Sequence, residues 1–274
     1  MTNVALGQYY PTDSVIHRLD GRIKLILAAV FIVSCFLCKS LVSFAFLTLT
    51  TVLLIALSRI PFRIVLRAVR GIIFILLITF VFNVFFTKGE DENLLFSWWK
   101  LAVYKEGLWN AGFIALRILC LIVGTSIFIS YTTTPIQLTD SIERLLSPLK
   151  KIGINVHTFA MMMSLVLRFI PTLSEETEKI MTAQKSRGAD FENGSLFSRI
   201  KALIPVLVPL FVSAFRRADE LATAMECRCY HGGDGRTKMT VPHLRTADFI
   251  ALFCGAVFCA GAILLNRILF GYVL

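Results

Sequence analysis

Two arginines stand out by where they fall: Arg187 in Ser186-Arg187-Gly188 and Arg228 in Cys227-Arg228-Cys229. Each closes a long stretch that begins apolar, contains proline and then turns charged and amphipathic. The first reads VHTFAMMMSLVLRFIPTLSEETEKIMTAQKSRGADF, the second LFSRIKALIPVLVPLFVSAFRRADELATAMECRCYHGG. A guanidinium is a permanent cation whose planar fork of donors matches a carboxylate two bonds at a time. Its ordinary work at a helix end is plainer: a cation there offsets the helix dipole, and a following glycine stops the helix. One such arginine alone would be assigned to capping. Two helices of the same construction, each ending on an arginine among small residues, instead fit knobs entering grooves on a partner.

Other residues with chemical potential carry less. Arg117 lies inside an apolar run, 108–129. A lone arginine at mid-span costs roughly 2.5 to 3.5 kcal/mol, so it must face other helices, a partner subunit or water. An internal structural pair and a functional contact both stand as readings. Together with Arg168 it could serve a self-sufficient carrier or membrane enzyme that takes an anionic substrate. Cys227, Cys229 and His231 alternate and cannot share one helix face, and no second pair completes a tetrahedral set, so no metal is expected. Cys35 and Cys38 form a CxxC inside an apolar run and read as core packing. GGDGRT lacks the lysine of a phosphate loop and follows no strand, so the chain is not expected to bind ATP. With no HExxH, no GxSxG and no carboxylate pair within the apolar runs, no catalytic residue is assigned.

The elements that must position the two arginines are membrane elements. Hydrophobic residues make up 56% of the chain, charged ones 17%, and mean hydropathy is +0.74, too apolar for an ordinary soluble domain. The net charge of +10 is therefore a question of topology, not a nucleic-acid signal. Seven cysteines scattered through apolar runs read as small buried hydrophobes. After an irregular lead-in, runs 23–38 and 41–57 form a tight membrane hairpin, short enough that Lys24 is expected to snorkel at its edge. Arg59, Arg63, Arg67 and Arg70 then fall on one helical face before a third span, 71–86, and suit anionic headgroups. The loop 87–106 holds three lysines against four acids, and Trp98 and Trp99 there fit an interfacial aromatic belt. The positive-inside rule puts the arginine loop and the N-terminus in the cytoplasm. A fourth span, 108–129, leads to an amphipathic helix opened by Pro135, in which Ile142, Leu145, Leu146 and Leu149 share a face and which ends at Lys150, Lys151 and Gly153. The last span is 249–270.

The fold class read from this pattern is an all-α polytopic membrane protein with about five transmembrane helices and a cytoplasmic coupling module of three helices. Residues 1–131 make a membrane domain of four spans, 132–245 the coupling module, and 246–274 the last span. The apolar stretches 156–170 and 202–215 suggest a rival count of seven. They are short and hold Arg168 and two prolines, so they are read as buried or interfacial helix halves.

RFIPTLSEETEKIMTAQKSRGADF, PLFVSAFRRADELATAMECRCY and GGDGRT closely resemble the transmembrane T component of energy-coupling factor (ECF) transporters, over nearly the whole chain. That resemblance implies a multi-pass protein of the prokaryotic cell membrane with two kinds of partner: two cytoplasmic ABC-type ATPase subunits, which bind ATP and Mg, and one substrate-binding S component for a vitamin or metal ion. No cofactor would be bound by this chain. The resemblance carries ATPase docking to Ser186, Arg187 and Gly188 and to Cys227, Arg228 and Cys229. The family pattern is usually Ala-Arg-Gly, and Cys229 in place of glycine puts the ending of the second helix in question. Met161, Met162, Met163, Phe211 and Phe215 offer an adaptable surface to the S component, with plain core or lipid packing the alternative reading.

Overall fold

The computed structural model describes residues 9–86, 94–98, 101–153, 155–191, 195–232 and 244–268. Its helices are α1 (Gly21–Leu37), α2 (Leu41–Ser58), α3 (Phe62–Phe86), α4 (Lys105–Ser126), α5 (Pro135–Leu145), α6 (Val156–Ser186), α7 (Leu196–Cys227) and α8 (Thr246–Ile268). A π turn, Ile127–Tyr131, extends α4, and a 3-10 helix, Ser147–Ile152, follows α5. Among the described residues the protein is all-α apart from a small antiparallel hairpin, β1 (Leu94–Trp98) with β2 (Leu101–Tyr104), inside the expected acidic loop. Trp98 ends β1, and Trp99 lies outside the described residues.

Two compact units are present, one from Gly7–Ser141 with Pro242–Leu274 and one from Ile142–Val241. In the first, α1 packs on α4 and α8, and α4 also packs on α2 and α3. Phe31, Cys35, Phe44, Leu47, Cys120, Val123 and Ile127 form its core. A Cβ at Gly124 would run into the Phe31 ring, so glycine is what lets α4 approach α1 closely.

Polar contacts tie down the chain ahead of α1. Asp20 caps α1 by accepting the Arg22 N–H at 2.9 Å, and the buried Asp248 carboxylate accepts the N–H groups of Asp20 (2.9 Å) and Arg245 (2.7 Å). The tautomer with its proton on Nε2 lets His17 donate to the Tyr10 carbonyl (3.0 Å) and accept from the Ser14 hydroxyl at Nδ1 (2.7 Å). Lys24 does not snorkel. It is 2% exposed, and its ammonium donates to the carbonyls of Thr132 (2.6 Å) and His17 (3.2 Å). A buried cation needs such acceptors.

Arg59 also departs from expectation. It caps α2 in a left-handed conformation (φ 52°) and so lies off the helix that carries Arg63, Arg67 and Arg70. The helix expected from Pro135 ends at Leu145, with Lys150 in the 3-10 segment and Gly153 left-handed after it. Thr134 and Gln137 form a reciprocal capping box at its start, both bonds at 3.3 Å, with Pro135 in the first helical position.

Among the described residues, six helices are long and apolar enough to cross a membrane: Leu41–Ser58, Phe62–Phe86, Gly107–Tyr131, Val156–Ser186, Phe197–Cys227 and Thr246–Arg267. The seventeen-residue α1 is not among them. The two stretches expected as short helix halves belong to α6 and α7, which continue through Pro171 and through Pro205 and Pro209 for 31 and 32 residues. Length and composition thus admit α6 and α7 as spans; what lies beside each bears on whether they act as such.

Candidate functional site

The N-cap of α7 is Ser195, whose hydroxyl accepts the Ser198 N–H at 3.3 Å. Proline inside a helix leaves the carbonyl four residues earlier without its donor. Pro209 frees the carbonyl of Pro205, and the Gln184 side-chain amide of α6 reaches it at 3.4 Å. Further along, Glu176 accepts from the Ser213 hydroxyl and from Arg217 Nη2 at 2.9 Å, and the Arg217 guanidinium sits 6.0 Å over the Phe169 ring. As position falls along α6 from Gln184 to Phe169, it rises along α7 from Pro205 to Arg217. The two helices are antiparallel.

That register has two consequences. First, the polar half of α6 lies against the apolar half of α7, while Phe169, in the apolar half of α6, meets Arg217 in the charged half of α7. Second, Arg187 and Arg228 sit at opposite ends of the pair, since α7 alone rises about 35 Å from Pro205 to Arg228 at 1.5 Å per residue.

Both ends close the same way. At α6, the Gly188 N–H bonds the Lys185 carbonyl and the Ala189 N–H bonds that of Gln184, each at 3.0 Å, with Gly188 left-handed at φ 89°. At α7, the Cys229 N–H bonds Glu226 (2.8 Å), the Tyr230 N–H bonds Met225 (3.1 Å), and Cys229 is left-handed at φ 54°. These are two Schellman motifs with Arg187 and Arg228 at the C-cap. Cysteine therefore ends its helix as glycine does, and the His231 ring meets the Cys229 carbonyl at 2.8 Å. Among the described residues neither Arg187 nor Arg228 has a side-chain partner, and both are exposed with Ser186, Gly188, Cys227 and Cys229. Also among the described residues, no group of three His, Cys, Asp or Glu side chains could hold a metal.

The other candidates part company. Arg117 donates from Nη2 to the Cys38 carbonyl at 2.8 Å and lies 5.1 Å over the Phe44 ring, so it braces the end of α1 against α2. Arg168 is exposed on α6. Met162, Met163, Phe211 and Phe215 are exposed, the two phenylalanines edge to face at 4.7 Å, while Met161 is half-buried. Sequence reasoning missed the Glu176, Ser213 and Arg217 lock. Glu175 and Arg216 flank its members and carry the same charges, so only the register of two helices tells them apart.

Comparison with known proteins places these features in context. A family model described as cobalt transport protein matches residues 12–239. The chain is 49% identical over 269 residues to the energy-coupling factor transporter transmembrane protein EcfT of Clostridium kluyveri, covering 98% of each. It is 45% identical to that of Ruminiclostridium cellulolyticum over 98% of this chain and 99% of the relative. For the Bacillus subtilis protein the identity is 47%, over 87% and 89%.

Proposed function

The chain belongs to the family of energy-coupling factor transporter transmembrane proteins, and from that premise we propose that α6 and α7 are its coupling helices, each docking one cytoplasmic ATPase subunit through its terminal arginine. It is a multi-pass membrane protein and a non-catalytic component of a transporter complex. The observation that carries the proposal is the pair of matching caps. Two exposed, unpaired guanidiniums at opposite ends of one antiparallel helix pair suit two separate acceptor grooves, each with a carboxylate, better than one shared pocket.

In this reading the ATPases bind ATP and Mg, close on each other and displace the two helix ends. The lock at Glu176 keeps the pair rigid, so the displacement reaches a separate substrate-binding membrane subunit, seated on the apolar halves around Met161, Met162, Met163, Phe211 and Phe215. That subunit then reorients and releases a vitamin or metal ion inside. Because each apolar half lies beside the charged half of its neighbour, the pair lies along the membrane surface, and the arginine-rich segment around Arg63, Arg67 and Arg70 puts the N-terminus of the chain in the cytoplasm. A self-sufficient carrier built on Arg117 and Arg168 has less support, since the Arg117 guanidinium is already engaged with Cys38 and Phe44.

Affinity purification from native membranes tests this, using the intact chain and the Arg187→Glu/Arg228→Glu variant. Loss of a buried charge contact costs about 2 to 5 kcal/mol, so ATPase activity and its protein bands should accompany the intact chain and vanish from the double variant. An intact chain that brings down no ATPase returns both arginines to simple caps.

A further inference from the structure

The outward face of α3 carries a stripe that the coupling function does not use. Val65, Ile64, Ala68 and Val69 turn toward the core, Val65 being 4% exposed. Arg63, Arg67 and Arg70 lie on the opposite side of the helix, all exposed, and none has a hydrogen bond or ion pair among the described residues. The stripe continues at the same alternating spacing of four and three through Phe74, Leu77 and Val81, which are 71%, 60% and 40% exposed. Three cations over two turns therefore stand directly above an apolar track on one face.

We propose that this stripe binds a single anionic phospholipid, its phosphate held by Arg63, Arg67 and Arg70 and one acyl chain laid along Phe74, Leu77 and Val81. Charge complementarity selects the headgroup. The apolar continuation selects a lipid over a soluble phosphate, because no small anion would use it. The three arginines rise over about 10 Å of helix, enough to cross a headgroup layer about 5 to 8 Å deep in one leaflet. Arginine rather than lysine suits the phosphate, whose oxygens its fork engages in pairs.

The test uses the full chain in nanodiscs of phosphatidylcholine, titrated with acyl-labelled phosphatidylglycerol. Tight retention of phosphatidylglycerol is expected, and Arg63→Gln/Arg67→Gln/Arg70→Gln should weaken it about a hundredfold, about fivefold per arginine. The matching triple lysine variant, which keeps the charge but loses the paired donors, should bind between the intact chain and the glutamine triple and confirms that the surface tolerates substitution. Phe74→Gln/Leu77→Gln should weaken phosphatidylglycerol while leaving any binding of glycerol phosphate unchanged. The proposal is overturned if the intact chain does not distinguish phosphatidylglycerol from phosphatidylcholine, if the glutamine triple binds as the intact chain does, or if glycerol phosphate competes as well as the lipid.

Discussion

At the scale of the residue, the two helix ends differ in what a left-handed position costs. Gly188 enters that region freely, whereas the Cβ of Cys229 meets the following carbonyl there, at roughly 1 to 2 kcal/mol. Cys229→Gly should therefore stabilise the end of α7 by about 0.5 to 1 kcal/mol, once the added freedom of glycine in the unfolded chain is subtracted. Gly188→Ala should do the reverse at α6. Hydrogen exchange at Ala189 and Tyr230, whose N–H groups close the two motifs, reads both changes. Slower exchange at Tyr230 in the first variant and faster exchange at Ala189 in the second are expected; no change at either would show that the caps do not hold the helix ends. Arg187→Ala and Arg228→Ala, by contrast, remove side chains without partners and should shift stability by less than about 0.5 kcal/mol. The sequence made both arginines visible. It left the ending at Cys229 in doubt because a Cβ makes the left-handed position costly without forbidding it, and the hydrogen bonds that hold Cys229 there appear only with the fold.

At the scale of the element, α6 and α7 owe their alignment to few polar contacts. The half-buried pair of Glu176 and Arg217, 26% and 29% exposed, is joined by Ser213 and placed within a turn or two of Pro171 and Pro209. Removing Glu176 leaves Arg217 partly buried with only the Phe169 ring, so Glu176→Ala should cost on the order of 1 to 3 kcal/mol. A double-mutant cycle with Arg217→Met should return a coupling of about 1 kcal/mol. If the pair keeps the crossing rigid, the Glu176→Ala chain should still bring down the proposed ATPases but consume more ATP per substrate taken up. Loss of ATPase binding would instead show that the lock shapes the docking ends. Helical spacing in the sequence puts Leu173, Thr177, Ile180, Met181 and Gln184 of α6 on one face, and all five are half-buried. On α7 the same spacing points to Ala218, Leu221, Ala222 and Met225; Leu221 and Met225 do lie on the half-buried stripe, which runs on through Arg217 and Ser213, whereas Ala218 and Ala222 are exposed. A charged residue at the centre of a contact stripe is invisible to a pattern built on hydrophobicity.

At the scale of the whole molecule, hydropathy and packing disagree about α6 and α7. Each helix taken alone is apolar enough to cross a membrane over one stretch. Taken together they are not, because wherever one is apolar the other brings Glu176, Glu178 and Lys185, or Arg216, Arg217 and Asp219, to the same level. A transmembrane hairpin would hold those charges in hydrocarbon at several kcal/mol in total, whereas a pair along the surface turns them to water. The same limit applies to Arg117 and Lys24, whose partners are backbone carbonyls of Cys38, His17 and Thr132 that no residue pattern announces. Antiparallel geometry makes the two placements separable. If α6 and α7 crossed the membrane, Ser186 and Cys227 would emerge on opposite sides; if they lie along it, both face the cytoplasm. In vesicles of known orientation, with Cys254 and Cys259 replaced by serine, a membrane-impermeant maleimide should label the exposed Cys227 and Cys229 from the cytoplasmic side only. With Cys227 and Cys229 also removed, a Ser186→Cys variant should label from that same side. Labelling of the two ends from opposite sides would make α6 and α7 spans, and would leave at most one arginine within reach of a cytoplasmic ATPase.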